Sequence, residues 1–252
     1  MQEILISIII PSYNSSQFIA ETIESILLQT YANWELLITD DCSTDSTWKI
    51  LNEYVLKDNR IRIFKLNTNS GAGAARNNSI KQAAGKYIAF CDSDDLWLPE
   101  KLEKQIKFME DNKCCFSFSS YNCIDEKGEF IKNIKVKKQL TYSALLKNNY
   151  IPCLTTVYSA SAVGEILMPE IRKRQDWAFW LKIIKITNYA SGIEEPLALY
   201  RIRNNSLSKN KLGLLKYNFA IYRDIEQFST LKSYLFTLRF LFFNFIYKKL
   251  GK

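Results

Sequence analysis

The stretch Tyr87-Ile88-Ala89-Phe90-Cys91-Asp92-Ser93-Asp94-Asp95 sets the reading of the whole chain. A short apolar strand ends, and three carboxylates follow within four residues. In an extended segment, side chains at i and i+2 point the same way, so Asp92 and Asp94 can face one spot. Carboxylates that close repel each other unless something positive sits between them. A hard divalent cation with oxygen ligands, itself holding a substrate phosphate, is one such partner. A polar loop whose aspartates cap the next helix is the other reading, and this segment alone leaves both open.

The same pattern, an apolar strand ending in polar residues, recurs on both sides. Ile4 to Ile10 is a near-continuous β-branched run, which suits a buried strand. Ile19, Ile23, Ile26 and Leu27 then recur at helical spacing, and Leu36-Leu37-Ile38 is a second strand ending at Asp40-Asp41. Ser43-Thr44-Asp45-Ser46 is a capping cluster before a helix carrying Trp48, Leu51 and Val55. Ile61 to Phe64 is a third strand; Gly73 to Ala84 is small and helical, with Gly85 as its stop. Tyr87 to Phe90 is a fourth strand, and Pro99 starts a helix through Leu102, Ile106 and Met109. This alternation predicts an α/β fold, a Rossmann-like, doubly wound, mostly parallel sheet with helices on both faces. Ligands in such sheets bind beyond the carboxyl ends of the strands, where Asp40, Asp41, Asp92, Asp94 and Asp95 fall.

After about Cys115 the alternation weakens. Phe116 to Tyr121 reads as a strand and Lys132 to Lys138 as a solvated basic loop. Trp177, Trp180, Leu181 and Ile184 mark an amphipathic helix with Asp176 at its start. From Gln227 onward there are five basic residues, many aromatics and no acids.

Composition narrows the function. The 252 residues are 47% apolar, enough for a full core. A net charge of +8 suggests anionic partners: nucleotides, nucleic acid or a membrane surface. The six cysteines show no Cys-x-x-Cys spacing, which argues against zinc; Cys91, Cys114 and Cys115 read as core residues in a reducing cytoplasm. Met1-Gln2-Glu3 lacks the basic start of a secretory leader, and no uninterrupted apolar stretch reaches membrane-spanning length. Gly71-Ala72-Gly73-Ala74-Ala75-Arg76 matches a dinucleotide fingerprint poorly, because it follows the third strand and Arg76 takes the last glycine's place. Pro11-Ser12-Tyr13-Asn14 has no glycine, and no Gly-x-x-x-x-Gly-Lys loop exists, so nicotinamide and Walker-type functions are not expected. The glycine loop is either a tight turn into a helix or a close backbone approach to a ligand. Arg76 would then lie on a phosphate or in a structural ion pair.

Five segments occur in one order: Ser7-Ile8-Ile9-Ile10-Pro11-Ser12-Tyr13-Asn14, Gln29-Thr30-Tyr31, Asp40-Asp41-Cys42-Ser43-Thr44-Asp45, Asn69-Ser70-Gly71 through Ala75-Arg76-Asn77, and Phe90-Cys91-Asp92-Ser93-Asp94-Asp95. In that order and spacing the chain resembles the inverting family 2 nucleotide-sugar glycosyltransferases of the A-type (GT-A) fold. The resemblance is dense through about residue 110. Beyond it, Gln175-Asp176 resembles the family's Glu-Asp catalytic pair, and Tyr200-Arg201-Ile202-Arg203 through Ser206 resembles a further stretch near the donor site.

The resemblance implies that Pro11, Tyr13 and Asp41 line a nucleobase pocket, with Asp41 accepting from the base, and that Arg76 contacts the nucleotide. Asp92 and Asp94 would form the Asp-x-Asp element, with Asp94 the direct ligand of Mn2+ or Mg2+. Asp95 would hold the donor sugar or cap the following loop, and Asp176 would be the general base. Where the family often has a histidine, this chain has Arg203, which cannot ligate a metal but can pair with a diphosphate. The implied division is a nucleotide-sugar-binding half over 1–114, an acceptor-binding half of the same domain over 115–205, and a basic aromatic helical tail over 206–252.

Elementary chemistry agrees with these roles. A nucleoside-diphosphate sugar leaves a diphosphate whose growing charge a divalent metal would stabilise. The attacking hydroxyl must lose a proton, and without histidine the base must be a carboxylate or something less usual. Asp176 is the best-placed carboxylate, although it can also serve as an N-cap. Attack opposite the leaving group inverts the anomeric centre and gives a β linkage from an α-linked donor.

The expectation is therefore transfer of a hexose from a UDP-sugar. Glucose or galactose comes first, with N-acetylhexosamine allowed. The acceptor is a lipid-diphosphate-linked saccharide of bacterial O-antigen, lipopolysaccharide or capsule synthesis. The expected place is cytoplasmic, peripheral on the inner face of the cell membrane, with a second copy of the chain allowed as partner and no nucleic acid. A sugar-nucleotidyltransferase would carry a glycine-rich first turn with a lysine or arginine, which Pro11 to Asn14 lacks. The intact acidic triplet argues against an inactive partner subunit. In Leu235 to Lys252, Phe236, Phe240, Phe242, Phe243, Phe245 and Tyr247 mix with Arg239, Lys248 and Lys249. That segment fits a membrane interface or a helix packed on the core or on a second subunit.

Overall fold

The computed structural model describes residues 4–203 and 212–249. Its first half is the alternation expected: β1 (Ile6–Ser12), α1 (Ile19–Leu27), β2 (Trp34–Asp40), α2 (Thr47–Val55), β3 (Ile61–Lys65), α3 (Ala72–Ile80) and β4 (Tyr87–Phe90). These strands are parallel, in the order β3-β2-β1-β4. β1 is buried along its whole length and β2 nearly so, which is why their apolar residues run continuously instead of alternating. Ser12 pairs with Asp40 and Ile9 with Phe90, so the polar residues after all three strands emerge at one edge.

α3 ends at Ile80, and Gly85 is not its stop. Gly85 is the close approach by which the chain enters β4. Its N–H donates to Ser7 Oγ at 2.8 Å, and a Cβ there would stand 2.5 Å from the Ser7 nitrogen. The small residues of α3 have their own reason: Ala75 and Ser79 are fully buried against the sheet, and the Ser79 and Thr39 hydroxyls share a 2.7 Å hydrogen bond.

Beyond β4 the chain runs through β5 (Leu96–Trp97), α4 (Lys101–Asp111), β6 (Phe116–Ile124), β7 (Phe130–Ile134), β8 (Gln139–Thr141), α5 (Tyr142–Leu145), β9 (Val157–Ser159), α6 (Ala160–Val163), α7 (Gln175–Thr187) and β10 (Tyr189–Arg201). The same sheet continues as β4-β9-β6-β10-β5, so the two halves inferred from sequence share one sheet. β9 is antiparallel to both its neighbours, while β10 runs parallel to β6. The basic segment from Lys132 was expected to be a loop, but it begins in the exposed edge strand β7, which pairs with β6 across a turn at Gly128.

Each face of the sheet carries a core. Alternation along β1 sends Ile9 to a cluster with Phe90, Phe118, Trp177 and Trp180, and sends Ile8 and Ile10 to a cluster with Leu36, Trp97 and Met109. The helical tail is α8 (Leu215–Ala220), a π-helical turn over Ile221–Ile225, and α9 (Thr230–Lys249). It leans on α7, with the Tyr222 and Phe240 rings 5.8 and 5.7 Å from that of Trp177. Among the described residues no helix is long and apolar enough to cross a membrane.

Lys101, in the first turn of α4, is wholly buried. Its ammonium lies 3.9 Å from the centre of the Trp97 ring and donates to Gln105 Oε1 at 3.0 Å. Burial lowers its pKa to about 7. Above that pH the unfolded chain holds a proton that the native chain has lost, so this group makes stability rise with pH until the unfolded lysine titrates. Urea unfolding of wild type and Lys101→Met between pH 7 and 9.5 should show the wild type gaining on the variant by up to about 1.4 kcal/mol per pH unit. Parallel curves would show that the ammonium is not buried in solution.

Candidate active site

The site lies at the strand edge where β1, β2 and β4 end. The first two turns are stitched together by side chains: Asn14 N–H donates to Ser43 Oγ, and Thr44 N–H to Asn14 Oδ1, each at 2.9 Å. Asn14 holds a positive φ of 46°, which asparagine tolerates better than most residues. Pro11 is buried within β1, and Tyr13 projects from the turn with its side chain exposed. Asp41 is buried, and its two oxygens accept the N–H groups of Ser70 and Gly71, each at 2.7 Å. The carboxylate expected to receive a nucleobase thus caps the approach to α3 in this conformation.

The glycine loop approaches this chain's own side chains. Gly71 has φ +93°, and a Cβ on Gly73 would meet Gln175 Cγ at 3.2 Å. Arg172 lies beside Gly71 and donates to Asn69 Oδ1 at 3.0 Å. The small residues therefore let the segment before α7 settle on the start of α3. They also bring α7's first turn, with Asp176, beside the acidic loop.

That loop is built on two arginines. β5 pairs with β10 through Leu96–Leu199 and Trp97–Ala198, so the end of β10 is delivered to residues 94 and 95. Arg201, 3% exposed, donates its backbone N–H to Asp95 Oδ1 (2.9 Å), its Nε to Asp94 O (3.0 Å) and its Nη2 to Glu21 Oε2 (2.6 Å). Asp95, 1% exposed, is held inward as the anchor of this clamp. It is not a helix cap, since α4 starts later, with Glu100 as its N-cap. Burial pushes the Asp95 pKa well up, and the charges of Asp94 and Asp92 push it further. Ser15 and Ser93 share a 2.7 Å hydrogen bond that ties the first turn to the same loop.

Asp92 and Asp94 remain partly exposed and each holds an arginine. Arg76 Nη2 donates to Asp92 Oδ1 at 2.5 Å, and Arg203 Nη1 to Asp94 Oδ2 at 3.0 Å. Of the two roles that Arg76 could take, the structure displays the ion pair. Burial raises the Asp94 carboxyl's pKa and the charge of Asp92 adds to it, while Arg203 opposes both. Burial works against the Arg76 charge, yet neighbouring anionic groups, Asp92 and Asp176 among them, hold its pKa above the ordinary value. Arg76 thus feels carboxylates from two elements, the end of β4 and the start of α7.

Asp176 lies in the first turn of α7, whose N-cap position is Arg174, so the capping role allowed by sequence is not the one it plays. Its Oδ2 accepts from Asn149 Nδ2 at 2.8 Å. Asn149 was invisible to sequence reading, as were Glu21 and Phe18. The Phe18 ring lies 4.7 and 5.1 Å beneath the guanidinium groups of Arg201 and Arg203. Residues 204–206, the end of the stretch singled out in the sequence, lie outside the described residues.

The residues fit a cation shared with a substrate. Among the described residues no group of three or more His, Cys, Asp or Glu side chains is disposed to hold a metal alone. Asp92 and Asp94 supply two partly exposed carboxylates, the donor set suited to a magnesium-like ion that takes its other oxygens from phosphate and water. The buried Asp95 Oδ2, which has no hydrogen-bond partner, leaves the pocket electron-rich behind them.

Residues 7–165 match the family described as Glycosyl transferase family 2. A Bacillus subtilis glycosyltransferase named for teichuronic acid biosynthesis is 45% identical over 230 residues, 91% of each chain. Two Escherichia coli proteins, each named UDP-Glc:alpha-D-GlcNAc-diphosphoundecaprenol beta-1,3-glucosyltransferase, are also similar. One is 38% identical over 90% of this chain and 88% of its own. The other is 42% identical over 82% and 81%. Among solved structures, S. aureus TarS 1-349 in complex with UDP-GlcNAc matches with a TM-score of 0.76 at 23% identity, covering 94% of this chain and 71% of that one. That likeness carries the fold: a GT-A-type α/β domain with a helical C-terminal segment.

The two arginines of the β10 end should separate in a mutational test. Arg201→Ala keeps the backbone N–H that Asp95 accepts but removes a buried guanidinium that holds Asp94 O, Glu126 O and Glu21, and should cost at least about 2 kcal/mol in urea unfolding. Arg203→Ala breaks a partly exposed pair and should cost under about 1 kcal/mol. Equal losses would mean that Arg203 belongs to the scaffold as well.

Proposed function

Because this chain belongs to glycosyl transferase family 2, we propose that it moves a hexose from a UDP-sugar to a hydroxyl of a lipid-diphosphate-linked saccharide. The setting is bacterial surface polysaccharide synthesis, at the inner face of the cell membrane. The observation that carries the reading is the pair of E. coli relatives at 38% and 42% identity, whose names share one donor, one lipid-linked acceptor and one β linkage. They favour glucose over galactose as the donor sugar. The acidic loop supports the same reaction class.

In this reading the donor's diphosphate lies against Asp92 and Asp94, where Mn2+ or Mg2+ would be held. When bound, such an ion offsets the charge that grows on the leaving diphosphate. Arg76 and Arg203, released from those carboxylates, turn to the nucleotide and the diphosphate. Pro11 and Tyr13 flank the base, with Asp41 as the acceptor beside it. Asp95 keeps the loop in place from behind through Arg201 and, by way of its second oxygen, borders the donor sugar. Asp176, oriented by Asn149, takes the proton of the acceptor hydroxyl as it attacks opposite the diphosphate, and the anomeric centre inverts.

UDP with Mn2+ should raise the thermal midpoint of the wild-type protein by several degrees, and Asp94→Ala should abolish that shift. Asp176→Ala should keep it while transfer from UDP-glucose to a short-chain lipid-diphosphate acceptor falls about 10²–10⁴-fold. Full activity in either variant would refute that residue's role.

A further inference from the structure

α9 has two faces. Toward the core, Phe240 is 6% exposed and packs on Trp177, and Phe236 packs on Tyr222 with ring centres 5.3 Å apart. Away from it, Leu231, Leu235, Leu238 and Phe242 are 72%, 57%, 60% and 63% exposed. They recur at i, i+4, i+7 and i+11, a single stripe on a helix, and exposed Tyr234 and Leu241 widen it. An apolar surface this continuous is unusual on a protein that meets only water.

The charges along the stripe choose the occupant. Lys232 and Arg239 lie one heptad apart, which sets both along the same border of the stripe. Their cationic heads lie over aromatic rings of the tail, Lys232 3.7 Å from the centre of Phe228 and Arg239 5.7 Å from that of Phe243. α9 contains no Asp or Glu. A second copy of this helix would set like charges beside like charges, whereas anionic lipid phosphates at the level of the cationic heads would complement them.

We propose that the outer face of α9, Leu231, Leu235, Leu238 and Phe242 bordered by Lys232 and Arg239, lies in the interface of an anionic lipid bilayer and fixes how the active site is held relative to it. The orientation follows from the helix's other face. Arg174 stands 5.7 Å over the Trp177 ring and 5.4 Å over the Phe240 ring, and Arg174 and Trp177 bracket the segment that carries Asp176. A bilayer held by α9 therefore has a defined direction relative to the acceptor-side carboxylate. This deepens the proposed function and rests on it for the acceptor's lipid anchor.

The test uses the full chain and sedimentation with vesicles. Wild-type protein should bind vesicles containing phosphatidylglycerol, bind phosphatidylcholine vesicles poorly, and release from the former as salt rises. The double variant Leu235→Glu, Leu238→Glu should bind at least about tenfold more weakly, while Leu56→Glu, an exposed apolar position just after α2, should bind as wild type does. Retained binding in the double variant overturns the proposal. So does light scattering that shows a wild-type dimer made monomeric by the same substitutions, since the face would then belong to a second copy. Transfer from UDP-glucose to a water-soluble short-chain acceptor reads the catalytic proposal separately. It should survive in the double variant, and its absence from the wild type would refute the function and leave the vesicle result standing.

Discussion

Everything at the strand edge depends on a buried carboxylate that the protein cannot leave alone. Burying the Asp95 side chain would cost several kcal/mol without compensation. The compensation comes from Arg201, whose backbone N–H meets one carboxylate oxygen while its guanidinium ties Asp94 O and Glu21 into the same knot. That knot requires β5 to pair with β10, and the pairing sets where the rest of the acidic loop stands. Asp95 faces inward and Asp92 and Asp94 stay accessible to solvent, so one segment supplies both a foundation and a working surface.

A second constraint is steric. Gly71 and Gly73 leave room for Arg172 and the Gln175 stem, which brings the start of α7 down onto the start of α3. Arg76, inside α3, then feels both Asp92 and Asp176. Carboxylates at the end of β4 and the start of α7 are thereby brought within the electrostatic reach of one buried guanidinium, although they come from chain segments far apart in sequence.

Much of this was legible from local pattern. Continuous β-branched runs marked β1 and β2 because strands buried on both faces have no polar side to alternate with. Aspartates placed just after such runs marked residues that gather at one edge of the sheet, because neighbouring parallel strands end there together. Local pattern failed where a residue answers to a distant neighbour. Gly85 looked like a helix stop but makes room for Ser7. Asp95 looked like a possible cap, but α4 is capped at Glu100 and Asp95 anchors Arg201. The segment from Lys132 looked like a loop, since an exposed edge strand has little apolar face to display its period.

By itself the sequence determined the α/β class, the order of the first four strands' motifs, the family, and which carboxylates gather at the strand ends. Those properties follow from short-range periodicity and from residues that act within a few positions of one another. Only the tertiary structure decided which arginine is foundation and which is surface, that Asn149 orients Asp176, and that α9 buries one face and leaves the other open. Each of those depends on contacts between residues far apart along the chain, which strand pairing and core packing alone bring together.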